Sequence, residues 1–187
     1  MTMSSRHWWG DSVLKLRLLL TTGLLLLGSP LLTGSASATT APLPGCAASQ
    51  LELFASGWFG AGGTGAMAFE VVNRGALCRI GGYPSVTFVD ASDFGIDHHD
   101  LHRASMLFSE PKSMTLNLPR SGVATFGVSW ADNPVGNDIC PNMARAEVVL
   151  KDGVGNLSGL VPINSAPCGG TLMVTPIESG SWPRPND

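Results

Sequence analysis

Residues 113–130 read SMTLNLPRSGVATFGVSW. Two β-prone runs, Ser113–Leu118 and Val123–Trp130, stand on either side of Pro119-Arg120-Ser121-Gly122. Proline presets φ and glycine alone enters positive φ without steric cost, so this quartet marks a turn and the stretch predicts two strands joined as a hairpin. The pattern repeats in both directions. Upstream lie Leu51–Ala55, Ala66–Val72 before Asn73-Arg74-Gly75, and Ser85–Val89 after Gly81-Gly82-Tyr83-Pro84. Downstream lie Ala146–Leu150, Leu157–Ile163 and Leu172–Ile177. Short β-branched runs at spacings of roughly 8–15 residues, with strong turn punctuation, predict an all-β antiparallel sandwich or barrel. Helical periodicity is nearly absent; Met143–Leu150 carries Val148-Val149 and runs into Asp152-Gly153, which favours a strand ending in a turn.

The chain of 187 residues is 44% hydrophobic and 13% charged, and the apolar excess is concentrated at one end. Residues 16–33 read LRLLLTTGLLLLGSPLLT, preceded by Arg6, Lys15 and Arg17 and followed by Ala36-Ser37-Ala38. A basic start, a short apolar run and small residues before a cleavage point are the pattern of a secretory signal peptide over residues 1–38. The run Leu18–Leu32 is broken by Gly28-Ser29-Pro30 and falls short of the roughly 20 apolar residues a spanning helix needs. Leu43-Pro44-Gly45-Cys46 superficially fits a lipidation signal, but it lies about a dozen residues past the apolar run and lipidation would strand a cysteine partner. The expected layout is a leader over 1–38, a short linker over 39–45, a β-sandwich domain over 46–179 and a disordered tail over 180–187. The expected location is secreted or extracytoplasmic, in the cell envelope, with no membrane span in the mature chain.

The four cysteines, Cys46, Cys78, Cys140 and Cys168, all follow the leader. An even count in an exported chain reads as two disulfides. Three pairings are possible, and the sequential one, Cys46–Cys78 with Cys140–Cys168, is favoured because each bond then ties a strand-end loop to a neighbouring strand. Without the leader, 8 basic and 13 acidic residues remain, a net charge of −5, and Lys112 and Lys151 are the only lysines. No basic cluster is left to neutralise phosphates, which argues against nucleic acid as a partner.

The order Cys46, Phe69–Asn73, Gly75, Cys78, Gly82-Tyr83-Pro84, Leu118-Pro119 with Gly122, Trp130, Cys140 and Cys168-Gly169 resembles the actinobacterial exported domain-of-unknown-function family 4232. The resemblance covers about residues 46–179. It implies an immunoglobulin-like β-sandwich outside the cytoplasm and carries no known activity or ligand. The chain departs from the family pattern where Arg120-Ser121 splits a Pro-Gly pair and where the 92–105 loop is longer and more acidic.

Asp97-His98-His99-Asp100-Leu101-His102 is the densest polar cluster and holds every histidine after the leader. In an extended segment His98, Asp100 and His102 share one face at period two, a donor set suited to zinc, copper or nickel; a solvated loop is the plainer reading. Gly60-Ala61-Gly62-Gly63-Thr64-Gly65 fits the dinucleotide fingerprint in letters only, because AMAFEVV reads as a strand where a helix is required, so a hairpin loop is expected. No Gly-x-Ser-x-Gly elbow occurs, the cysteines are needed for pairing, and nothing selects a carboxylate pair. Trp58-Phe59 and Trp182 are aromatics that anchor a partner if exposed; otherwise Trp58-Phe59 packs over the mouth of the sandwich. No cofactor and no catalytic residue are expected. The functional expectation is a non-catalytic binding or structural module with an envelope or extracellular protein or glycan as partner, and the alternative is an extracytoplasmic metal-binding protein using the His98–His102 loop.

Overall fold

A computed structural model describes residues 41–181, apart from 104, 106, 109–111, 135, 137–139, 152, 154 and 162–166. The expected leader and Trp182 in the tail lie outside the described residues. Eleven strands follow one another among these: β1 (Leu51–Ala61), β2 (Thr64–Asn73), β3 (Cys78–Gly81), β4 (Ser85–Val89), β5 (His99–His102), β6 (Thr115–Leu118), β7 (Val123–Ala131), β8 (Arg145–Val149), β9 (Asn156–Leu160), β10 (Cys168–Val174) and β11 (Glu178–Ser179). One 3-10 turn, Ala48–Gln50, precedes β1.

The strands form an immunoglobulin-like sandwich. One layer is a sheet in the order β1-β2-β7-β10-β5, with β11 also on β7; the other comprises the sheet β4-β8-β9 and the ribbon β3-β6. Pairing is antiparallel except for β5, which runs parallel to β10. Alternation places Met67, Phe69 and Val71 of β2 and Phe126, Val128 and Trp130 of β7 inward, where they meet Ile80, Val86, Phe88, Val148 and Leu157 in a single core. Phe69 stacks on Phe126 at 5.3 Å within the large sheet, and Phe88 of the small sheet meets Trp130 edge-on at 5.5 Å. Strand β7 is buried on both faces from Ala124 to Trp130, because the Phe108 ring fills the space that a Cβ at Gly127 would take.

The disulfides are Cys46–Cys78 and Cys140–Cys168, with Cα separations of 5.0 and 4.6 Å. Each closes a loop of about 30 residues, a constraint on the unfolded chain worth about 3–4 kcal/mol in the chain-entropy account. The linker does not run free up to Cys46. Pro44 O accepts the Arg79 N–H at 2.8 Å, and Gly45 bridges to Arg79 in parallel.

Two expectations from the turns meet different fates. Gly62 and Gly63, at φ +59° and +80°, form the two-residue connection between β1 and β2, the twist that suits a tight hairpin. By contrast, β6 and β7 are not a hairpin: β6 pairs with β3 and β7 with β2, in opposite layers. In the Pro119–Gly122 turn only Ser121 has positive φ, and Gly122 N–H donates to Pro119 O at 2.9 Å. A turn of that hand splays its flanking strands rather than aligning them.

The arch is held by Asn73, which is fully buried at the end of β2. Its backbone N–H donates to Gly122 O at 3.0 Å and its carbonyl accepts from Ser121 at 2.7 Å. Its Nδ2 donates to Ala76 O and Leu118 O at 2.8 and 2.9 Å, and its Oδ1 accepts from Gly75 N–H and Gln50 Nε2 at 2.8 and 3.3 Å. All four sites of the carboxamide are used. Asn73→Asp turns two donors into acceptors facing two carbonyls and is expected to cost at least about 3 kcal/mol. Urea unfolding of the oxidised protein should show a far lower midpoint for Asn73→Asp than for a surface control such as Arg120→Gln; equal midpoints would remove Asn73 from this role.

Candidate functional site

The histidine cluster is ordered, and its side chains have assigned places. Strand β5 lies at one edge of the large sheet, and β4 lies at an edge of the small one. His98, Asp100 and His102 do share one side, and that side faces residues 83–86. His98 Nε2 bonds to Val86 O, its Nδ1 lies 2.6 Å from Ile96 O, and Asp100 Oδ2 accepts the Val86 N–H at 3.1 Å. The Nε2 of His98 is also 3.6 Å from Asp100 Oδ1, with both side chains nearly buried. Further along, Ile96 N–H donates to Phe88 O at 2.7 Å. The segment 96–100 therefore satisfies the outer edge of β4, first with backbone and then with side chains, and joins the edges of the two layers. This closes a sheet edge that would otherwise offer unpaired groups.

That placement bears on the ligand set expected of these residues. Both ring nitrogens of His98 face carbonyl oxygens, so neither is directed at open space. His102 stacks on Tyr83 at 4.7 Å, with the rings 10° from parallel, and His99 Nε2 lies 3.3 Å from Thr171 Oγ1 on β10. Among the described residues no three of His, Cys, Asp and Glu gather as ligands for a metal ion. The loop expected here is a strand, because its backbone pairs with Thr171–Val174 of β10; that partner is remote in sequence and leaves no local trace.

A different feature stands out on the surface. The turn after β4, residues 90–95, is braced throughout. Asp90 Oδ1 accepts the N–H groups of Ser92 and Phe94 at 2.8 and 3.0 Å, and Asp90 N–H donates to Phe94 O at 2.9 Å. Asp93 has φ +67°, and its carboxylate pairs with the Arg145 guanidinium, which also reaches Glu147 at 3.2 Å. The bond from Asp93, then that from Glu147, holds the Arg145 pKa above its ordinary value. On this frame Phe94 is 73% exposed. Arg145 is in register with Leu160 of β9, which is 80% exposed. These are the two most exposed large apolar side chains among the described residues; one follows the aspartate that pairs with Arg145, and the other is in register with Arg145, at one end of the small sheet. Composition alone hid this, although an aromatic between Asp93 and Gly95 in a polar turn was its one visible sign.

Trp58 is 52% exposed and lies over Gly60 at the end of β1, while Phe59 turns to the opposite face and meets Phe108 edge-on at 6.2 Å. The two rings are thus split between the faces of β1, Phe59 lying with Phe108 on the side where Phe108 covers Gly127. On the outer face of the large sheet Glu70, Thr125 and Glu178 fall in register across β2, β7 and β11, and burial pushes the Glu178 carboxyl above its ordinary range. No helix among the described residues is long and apolar enough to cross a membrane.

Residues 46–178 match the family described as Domain of unknown function (DUF4232), and the chain belongs to it. No curated protein and no solved structure matches the chain. The fold gives the family-like letters a physical content: Asn73 and Gly75 build the turn into β3, and a Cβ at Gly75 would sit 2.6 Å from that of Gln50.

The clasp on β4 makes a local prediction. Asp100→Ala should accelerate hydrogen exchange at the Val86 amide while that of Val148, inside the small sheet, stays slow. His98→Ala, which removes the ring held between Val86 O and Ile96 O, should cost about 2–3 kcal/mol in urea unfolding. An unchanged Val86 exchange rate in Asp100→Ala would show that this edge is held by other means.

Proposed function

We propose that this member of a family of unknown function is a non-catalytic binding module that works outside the cytoplasm and presents the Phe94 turn to a partner protein. The observation that carries the reading is the combination of exposure and rigidity at Phe94. A large aromatic held 73% exposed costs free energy in water, and a turn cross-braced by Asp90 and by Arg145 cannot fold it away. Binding interfaces draw their energy from a few aromatic, arginine and aliphatic anchors, and an anchor ordered before contact loses little entropy on binding. Leu160 and Arg145 extend the same surface. Export is supported by two disulfides, which persist in oxidising compartments, and by the basic and apolar leader. The envelope of an actinobacterial cell is the setting that the family resemblance suggests.

Two of the buried hydroxyls serve the fold. Thr125 Oγ1 donates to Phe69 O and Thr175 Oγ1 accepts from Gly127 N–H, both at 2.8 Å, so these hydroxyls are committed to the backbone. A photo-crosslinking phenylalanine analogue placed at position 94 of the exported protein tests the reading. A discrete adduct is expected there, is expected to be absent for the analogue at exposed Lys112, and should weaken at least about tenfold with Leu160→Ser, the equivalent of about 1.4 kcal/mol. No adduct at 94, or equal adducts at both positions, would overturn it.

A further inference from the structure

At the opposite end of the small sheet from Phe94 lies a cleft of about 310 Å³ lined by Tyr83, Ser85, His102, Val149, Leu150 and Lys151. We infer that this cleft binds a carboxylate-bearing sugar unit, with the Tyr83–His102 stack as the platform for the ring and Lys151 as the counter-charge for the carboxylate. The site is separate from the Phe94 surface: the row Ser85–Val149 and the row Val89–Arg145 are four residues apart along β4 and β8, roughly 13 Å at the rise of a strand.

Each wall is fixed by the fold. Tyr83, the single tyrosine of the chain, is set between Gly82 and Pro84 in the β3–β4 turn. Gly82 has φ +75°, and its carbonyl accepts the Ile177 N–H at 2.9 Å, which pins the turn to the segment after β10. His102 ends β5, where Val174 is its partner, and its ring lies flat against Tyr83. The stem of Lys151 crosses Gly82 so closely that a Cβ there would be 3.0 Å from Lys151 Cδ, which steers the side chain along the cleft. Val149, in register with Ser85, forms a half-exposed apolar floor beside the Ser85 hydroxyl.

The chemistry follows from this set. Stacked on each other, the two rings leave only outer faces and edges to a ligand, and such a surface with a half-exposed valine beside it suits the apolar C–H face of a pyranose. A serine hydroxyl suits its oxygens. Among the described residues Lys151 has no ion-pair partner, as Arg74 has in Glu52 and Arg145 in Asp93 and Glu147. A cation beside stacked rings with no partner among the described residues, in a domain of net negative charge, is the feature that points to an anion. The volume is at the lower end of ligand pockets, about 300–1,000 Å³, which limits the occupant to about one sugar ring.

The test is a titration of the oxidised 39–187 protein with D-glucuronate, followed by amide NMR, beside D-glucose and acetate. Glucuronate is expected to shift Gly82, Tyr83, Val149 and Lys151 saturably, at least about tenfold more tightly than glucose, which lacks the charge, or acetate, which lacks the ring. Lys151→Met, a change at an exposed side chain, should reduce glucuronate affinity about tenfold and leave the core spectrum unchanged; Tyr83→Ala should abolish binding. Absence of saturable shifts, equal binding of glucose, equal binding of acetate, or binding unaffected by Lys151→Met would each overturn the assignment. Failure here leaves the Phe94 surface untouched, since crosslinking at 94 reads a different end of the sheet.

Discussion

The structure depends on one buried carboxamide. Asn73 sits at zero exposure where β2 ends, and its side chain joins the turn into β3, the last residue of β6 and the 3-10 turn before β1. Its backbone takes the arch between β6 and β7. A polar group in a core is tolerated only when satisfied, and a fully satisfied one specifies geometry far better than an apolar side chain of the same size, because any other arrangement leaves donors or acceptors unpaired. Asn73 thereby sets where the chain leaves one layer and enters the other. The Cys46–Cys78 disulfide lies against the same network, with Gln50 Nε2 2.9 Å from Cys78 Sγ, so the covalent and polar constraints reinforce each other in one place.

The second constraint is the management of sheet edges. Strand β4 would present open backbone groups along its outer side, and the 96–100 segment meets them alternately with main chain and side chain. The long edge strand β1 is interrupted by a bulge between Ala55 and Gly57, which spoils it as a template for another chain. His98 and Asp100, which read in one dimension as part of a donor set for metals, lie in three dimensions as a clasp between two edges. The residue types suit both tasks for the same reason: imidazole and carboxylate present directional donors and acceptors at the end of short side chains.

Local chemistry accounts for what could be read in advance. The alternation of Ala66–Val72, Ser85–Val89 and Val123–Trp130 carries their strands, because each has one face in the core, and the Gly62-Gly63 connection is written in the only residue that adopts both its φ values cheaply. The sequential disulfide pairing was legible because each cysteine pair flanks neighbouring strand ends. The partners of strands were not. The Pro119–Gly122 quartet has the composition of a hairpin turn, yet its φ pattern sends β6 and β7 to different layers, and that choice is made by Asn73, more than 40 residues upstream of Leu118. Strand β5 is polar, short and parallel, so it becomes a strand only through β10. The exposed surfaces were hidden for the same reason: the Asp93–Phe94 turn, Arg145 and Leu160 are remote in sequence and are brought together by the Asp93–Arg145 pair and by the register of the small sheet.

The two surfaces proposed for binding have a common physical origin. A sandwich of this size spends its apolar side chains on one core and its polar ones on turns, and short connections braced by hydrogen bonds make those turns rigid. The connections on either side of β4 are the Gly82–Pro84 turn and the Asp90–Gly95 turn. The first is pinned by Ile177 and the second by Arg145. Both are therefore ordered before any partner arrives, so side chains displayed there, Tyr83 at one end and Phe94 at the other, can bind without a further cost of ordering backbone. Variation of such turns leaves the Asn73 network and the core undisturbed, which is how one scaffold can hold different ligands at the two ends of a single three-stranded sheet.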